Sequence, residues 1–137
     1  MKESFIVAIG VIGGIIVSAL GGWDIALQVL IIFMAIDYIT GLILAGVFKK
    51  SKKTESGALD SGIGLKGLIK KGIMLLIVLI GAQLDALMGT DFVRYAVIIA
   101  FLSNELVSIL ENCCLMGVPV PAILKKAIDI LNKKGEV

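Results

Sequence analysis

The sequence predicts an all-α integral membrane protein with four transmembrane helices, both termini in the cytoplasm and an interfacial amphipathic helix at the C-terminus. Three observations carry that prediction. Hydrophobic residues make up 58% of the 137, and the mean hydropathy of +1.05 lies far above that of soluble domains. Four apolar segments approach the roughly 20 residues that a helix needs to cross a bilayer. The lysines fall almost entirely in two patches, which the positive-inside rule places on one side of the membrane. A chain of this length and composition supplies a single membrane domain, residues 1–137.

The first segment runs from Phe5 to Leu20 and predicts a helix over about 5–23, with Trp23 as its interfacial anchor. Lys2, the apolar stretch and Val17-Ser18-Ala19 also match a secretory signal with its cleavage site. Gly10, Gly14, Ser18 and Gly22 argue for a retained helix, because their four-residue spacing puts small residues on one stripe suited to close packing. The second segment predicts a helix over 25–48, broken in character only by Asp37. A carboxylate at mid-bilayer depth costs roughly 2.5–3.5 kcal/mol on insertion scales, so it faces protein or water rather than lipid. Thr40 and Gly41 share the face of Asp37 at spacings of three and four, with Tyr38 beside them.

Residues 49–71 hold seven lysines against Glu55 and Asp60, and form the predicted cytoplasmic loop. Gly62-Ile63-Gly64-Leu65-Lys66-Gly67 fits the dinucleotide pattern GxGxxG letter for letter, but no strand precedes it and no βαβ unit surrounds it. The physical reading is an interfacial segment over 64–71. In it Leu65, Leu68 and Ile69 dip toward acyl chains, while Lys66, Lys70 and Lys71 meet anionic headgroups. The third helix is expected over 72–88 and contains Gln83 and Asp85.

The fourth helix, 93–115, is the most polar. Projected at 100° per residue, Arg94, Asn104, Glu105, Ser108, Glu111 and Asn112 fall within an arc of about 120°. Ile98, Ile99, Leu102, Leu106 and Ile109 form the opposite face, which suits lipid. Pro119 and Pro121 end this helix, and the tail 119–137 follows. Ile123, Leu124, Ala127, Ile128 and Leu131 make one apolar face of that tail; Lys125, Lys126, Asp129, Lys133 and Lys134 occupy the rest. Such a helix lies on the inner leaflet, packs on a sister subunit, or is simply a solvated tail.

With the N-terminus, the lysine loop and the tail inside, twelve of the thirteen basic residues are cytoplasmic and Arg94 is the exception. The sequence contains no histidine, which removes histidine metal sites and histidine acid–base chemistry. Cys113 and Cys114 are adjacent and lack a CxxC partner, so they are expected as free thiols. No nucleophile–base pair or metal cluster can be assembled from these polar residues, so neither enzymatic activity nor a cofactor is expected.

Several of these residues carry a family resemblance. Asp37-Tyr38-Ile39-Thr40-Gly41, then Gly64-Leu65-Lys66-Gly67-Leu68 with Lys70-Lys71, then Asn104-Glu105 and Ser108-Ile109-Leu110-Glu111-Asn112, and finally Gly117-Val118-Pro119-Val120-Pro121 occur in order. In this the chain resembles the toxin-secretion/phage-lysis holin family, which includes holins of phages of Gram-positive bacteria and clostridial toxin-secretion holins. The resemblance implies a homo-oligomer in the bacterial cytoplasmic membrane that opens lesions and releases a cell-wall hydrolase or a large toxin. The cargo would pass without a stable direct complex, and nucleic acid is not an implied partner. Carried onto this chain, Asp37, Thr40, Asn104, Glu105, Ser108, Glu111 and Asn112 become candidates for the polar surface of the assembly. Gly10, Gly14, Ser18, Gly22 and Gly41 are candidates for helix packing, and Lys66, Lys70, Lys71, Lys125 and Lys126 for the membrane surface. Two other readings fit a membrane carboxylate: a small proton-coupled transporter or channel, and a non-permeating subunit of a larger complex.

Overall fold

A computed structural model describes residues 1–135, and every regular element among them is helical. The order is α1 (Lys2–Ala19), α2 (Ile25–Ile43), α3 (Ser61–Met88), α4 (Val93–Leu115) and α5 (Ala122–Gly135), with α2 prolonged by a π-helical turn over Leu44–Phe48. The last two residues of the expected tail, 136 and 137, lie outside the described residues.

Local chemistry sets the boundaries. α1 stops at Ala19, short of the expected 23, because Gly21 and Gly22 adopt φ of 94° and 103°, values that glycine reaches without strain. The Asp24 carboxylate then starts α2 by accepting the Leu27 N–H at 3.0 Å. Asp60 does the same for α3, accepting from Ile63 at 2.9 Å, so α3 begins at Ser61. The expected interfacial segment 64–71 is therefore the first part of α3. α4 is capped from outside its own sequence: Asp85 of α3 accepts the N–H groups of Val93 at 3.1 Å and Arg94 at 2.9 Å, and the Thr90 hydroxyl at 2.6 Å.

Three helices among the described residues are long and apolar enough to cross a membrane: Lys2–Ala19, Ile25–Phe48 and Val93–Leu115. The expected fourth crossing, 72–88, is not among them. Its apolar stretch is the C-terminal part of a longer helix that carries Lys66, Lys70 and Lys71 near one end and Gln83 and Asp85 near the other.

α4 occupies the centre, between α2, α3 and α5. The core joins Leu27, Leu30 and Met34 of α2 to Val78 of α3 and to Ile98, Ile99 and Leu102 of α4. The apolar face of α4, expected against lipid, is thus covered by protein: Ile98, Ile99, Leu102, Leu106 and Ile109 are all buried. Part of that cover is α5, which folds back along α4. Ser103 Oγ donates to Asn132 Oδ1 at 2.6 Å, Leu131 packs on the core, and Gly135 stands beside Ile99. α1, by contrast, has no buried residue.

The tightest helix approach is at Gly81, where a Cβ would stand 3.0 Å from the Arg94 Cα. Backbone cannot yield as a side-chain tip can. Gly81→Val should therefore part α3 from α4 and destabilise the bundle by about 1–3 kcal/mol, the usual cost of overpacking. A thermal melt in detergent measures it, and an unchanged midpoint would mean that the two helices are not in contact there.

Candidate functional site

Three ionisable side chains from three helices meet inside the bundle. Lys71 Nζ of α3 donates to Asp37 Oδ2 of α2 at 2.7 Å and to Glu105 Oε2 of α4 at 2.6 Å. The two carboxylate side chains are 7% exposed and the lysine 13%. A neutral layer extends the site. Asn112 Nδ2 donates to Thr40 Oγ1 at 3.0 Å and lies 3.4 Å from Asp37 Oδ1 and the Asp37 carbonyl, while Thr40 returns its own proton to the Ile36 carbonyl at 2.8 Å. Asp37, Thr40, Glu105 and Asn112 are thereby brought together. Gly41 packs beside them, with a would-be Cβ 3.8 Å from the Asn112 amide.

Local sequence explains the approach of α3. Tyr38 donates its hydroxyl to the Gly64 carbonyl at 3.2 Å, and its ring rests where side chains at Gly64 and Gly67 would begin to touch it. The glycines of the GxGxxG string thus admit a tyrosine. A cavity of about 290 Å³ reaches the triad from the lysine-loop end, lined among others by Tyr38, Lys52, Lys53, Lys70, Ser108 and Glu111.

The polar arc of α4 divides in two. Arg94, Glu105 and Asn112 are buried toward α2 and α3, whereas Asn104 and Glu111 are exposed and Ser108 is half-buried. Helical geometry accounts for this: Ser103, which meets α5, and Glu105, which meets α3, point about 100° to either side of Asn104. The sector between the two neighbouring helices stays open and carries Asn104, Ser108 and Glu111 beside the exposed Ala100, Val107 and Cys114.

A second polar centre joins the other ends of the helices. The Arg94 guanidinium grips Asp24 with two hydrogen bonds, 2.7 Å to Oδ2 and 3.0 Å to Oδ1, and also donates to the carbonyls of Leu20 and Gly22. This bidentate bond holds the Asp24 carboxyl below its ordinary range. Asp24 to Asp37, Lys71 to Asp85 and Arg94 to Glu105 are separated by 11 to 14 residues, so roughly 17–21 Å of helix divides the two centres.

The remaining candidates are placed as follows. Lys66, Lys70, Lys125 and Lys126 are exposed, but Lys71, expected among them at the headgroups, is turned inward to the carboxylates. Gly10 and Gly14 face open space, Ser18 is exposed, and Gly22 serves a turn. Cys113 and Cys114 are free thiols, and the described residues contain no grouping of His, Cys, Asp and Glu that would hold a metal ion. Sequence reasoning did not reach the inward role of Lys71, the Asp24–Arg94 pair or the capping by Asp85. The one available signal was Arg94 itself, the chain's single arginine at the start of an apolar helix.

Chemically the triad is one cation between two anions, away from bulk water. Such an arrangement is costly to bury and costlier to break. Ionisable groups at membrane depth mark pathways or assembly surfaces.

Comparison with known proteins adds a lineage. The sequence profile of the bacteriophage holin family matches residues 14–133. The chain is 42% identical over 116 residues to an uncharacterized 14.9 kDa protein in the nagH 3' region of Clostridium perfringens, covering 83% of this chain and 82% of that one. It is 41% identical over 133 residues to an uncharacterized Listeria innocua protein, covering 95% and 89%. A probable holin of Bacillus phage phi105 is 27% identical over 111 residues, covering 80% and 76%. No solved structure matches.

Proposed function

The chain belongs to the bacteriophage holin family, and as a multi-pass protein of the cytoplasmic membrane we propose that it oligomerises there and opens lesions that release a cell-wall hydrolase or a large toxin. The observation that carries this reading is the family match over residues 14–133, joined by the likeness to a probable phage holin. The role is non-enzymatic: polar groups within the bundle serve assembly and water contact.

The proposed topology takes α3 as a further crossing beside the three apolar spans, which puts the N-terminus, the lysine loop and the end of α4 inside. The antiparallel pairing of α3 with α4 supports it, since Lys71 lies level with Glu105 and Asp85 with the start of α4. Wherever α4 crosses, α3 runs beside it, and the charge that most opposes its insertion is matched by two carboxylates. The lysine loop, with Lys125 and Lys126 at the start of α5, sets the orientation.

In this reading the two polar groupings have different tasks. The Asp37–Lys71–Glu105 triad with Thr40 and Asn112 fixes each subunit, and the open sector of Asn104, Ser108 and Glu111 is the part that meets another subunit or water. In a small oligomer such sectors face one another; in a larger ring they turn to water. Protein density biases the choice only if the two assemblies differ in stability. Glu111→Leu should leave the fold within about 0.5 kcal/mol of the parent, as expected for an exposed position. It should also abolish or delay release of a cytoplasmic reporter enzyme. Release at the parental time would remove Glu111 from the assembly surface.

The defining experiment is induced expression in bacteria, following membrane potential and escape of a folded cytoplasmic enzyme together. Abrupt, delayed collapse with enzyme escape is the expected result. Depolarisation without escape would favour a small channel or proton-coupled transporter. No effect at verified membrane abundance would favour a subunit of a larger complex.

A further inference from the structure

The lysine loop is folded, and its fold brings two lysines to a cavity. The Ser51 N–H donates to the Gly57 carbonyl at 3.0 Å, the Lys53 N–H to Ser51 Oγ at 3.2 Å, and Thr54 Oγ1 to the Ala58 carbonyl at 2.9 Å. Gly57 closes this turn with φ of 75°, and a Cβ there would run into the Lys49 carbonyl. Lys52 and Lys53, carried on the turn, line the cavity of about 290 Å³ that reaches the triad, and Lys70 of α3 lines it too.

Among the described residues none of these three lysines forms an ion pair. The carboxylates of the same cavity are otherwise placed: Asp37 and Glu105 share Lys71, Asp60 caps α3, and Glu111 is exposed on α4. The triad has one cation for two anions, so it repels a further anion from the deep end and leaves the lysines as the place to hold one. Leu44, Leu59, Ile63 and Leu115 line the cavity beside them. Low-dielectric walls of this kind strengthen the field of the charges within a cleft. The volume lies just below the roughly 300–1,000 Å³ usual for small-ligand sites, which suits a headgroup or a small ester.

We propose that Lys52, Lys53 and Lys70 form a binding site for a phosphate-bearing anion, either the phosphodiester of an inner-leaflet lipid or the phosphate of a small soluble ester. Both present an oxyanion on a short organic stem; the ammonium groups take the oxyanion and the apolar lining takes the stem. The full-length protein in phosphatidylcholine nanodiscs tests the site with two probes. Short-chain phosphatidylglycerol, followed by native mass spectrometry, stands for the lipid, and glycerol phosphate, followed by its phosphorus NMR line width, for the ester. At least one should bind, and Lys52→Gln/Lys53→Gln/Lys70→Gln should weaken it about tenfold or more. Lys52, Lys53 and Lys70 are exposed, so that variant should keep the parental melt. Gly57→Val keeps every charge but breaks the turn, and should weaken binding as well. Lys125→Gln/Lys126→Gln removes exposed lysines away from the cavity and should leave binding unchanged.

Lipid bound without ester names the lipid as the source, ester bound without lipid names the soluble one, and binding of both supports the shared chemistry. Three results would overturn the proposal: a parent that binds neither probe, undiminished binding by the triple-glutamine or Gly57→Val protein, or an equal loss on removing Lys125 and Lys126. The last would mean general attraction to a basic protein. Because no lesion is read, failure here leaves the holin reading intact, and a chain that opens no lesion leaves this site intact.

Discussion

Lys71→Met is expected to lower the stability of the inserted protein by about 3–5 kcal/mol, the cost of removing one partner from a buried ion cluster. The size follows from the geometry. Asp37 and Glu105 are both buried and share Lys71 as their cation, so its loss leaves two adjacent carboxyl groups in a poorly solvated place with no cation beside them. Glu105→Gln should do much less, because Lys71 and Asp37 remain as a one-to-one pair. The neutral combination Asp37→Asn/Lys71→Met/Glu105→Gln should recover most of the loss, since hydrophobic or neutral replacements of a whole buried cluster are often neutral or stabilising. Membrane abundance and a detergent melt of the four proteins test this ordering. If Lys71→Met matches the parent, the lysine is not between the carboxylates in the membrane.

The second large effect is at Arg94. Arg94→Met removes the two bonds to Asp24 and those to the carbonyls of Leu20 and Gly22, and should cost about 1.5–3 kcal/mol, the range for hydrogen bonds to a charged group. The figure stays below that for Lys71 because the Asp24 side chain is half exposed and water can replace its partner. Arg94→Lys should recover only part of the loss, since an ammonium cannot grip a carboxylate with two parallel bonds. Proteolysis between α1 and α2 reads out the loosened turn. Acid acts on the same contact with a defined sign. Arg94 holds the Asp24 carboxyl below the ordinary carboxylate range, so its contribution is complete above that range and is lost as pH falls through the lower folded value. The turn should thus resist proteolysis equally at neutral and mildly acidic pH, and yield only in strong acid. Arg94→Met should weaken that acid dependence, leaving the part that the Leu27 N–H bond supplies.

Much of this was legible in sequence, and the gaps have physical causes. The bounds of α4 and the polar residues of its arc follow from hydropathy and helical period. Period cannot say which apolar face meets lipid, because lipid tails and leucine side chains are equally apolar. In sequence Ile98, Ile99 and Leu102 therefore suit lipid, although they are the core. Lys71 lies 34 residues from each of its partners, a distance at which no local pattern operates. α5 displays its amphipathic face plainly, but nothing in that face distinguishes a headgroup layer from a neighbouring helix. Glycine behaves similarly: the regular stripe at Gly10 and Gly14 meets nothing within the subunit, while an unpatterned glycine, Gly81, sets the closest helix approach.

The bareness of α1 has a consequence for how the molecule comes apart. Without a buried side chain, its backbone hydrogen bonds are not backed by packing, so α1 is a cooperative unit apart from the bundle. In detergent its amides should exchange with deuterium early, while those of α2 and α4 exchange together and late. In a bilayer the same amides should be protected, because hydrocarbon leaves an opened N–H group nothing to bond. The persistence of α1 is thus conferred by its solvent, and a melt in micelles registers the rest of the molecule without it.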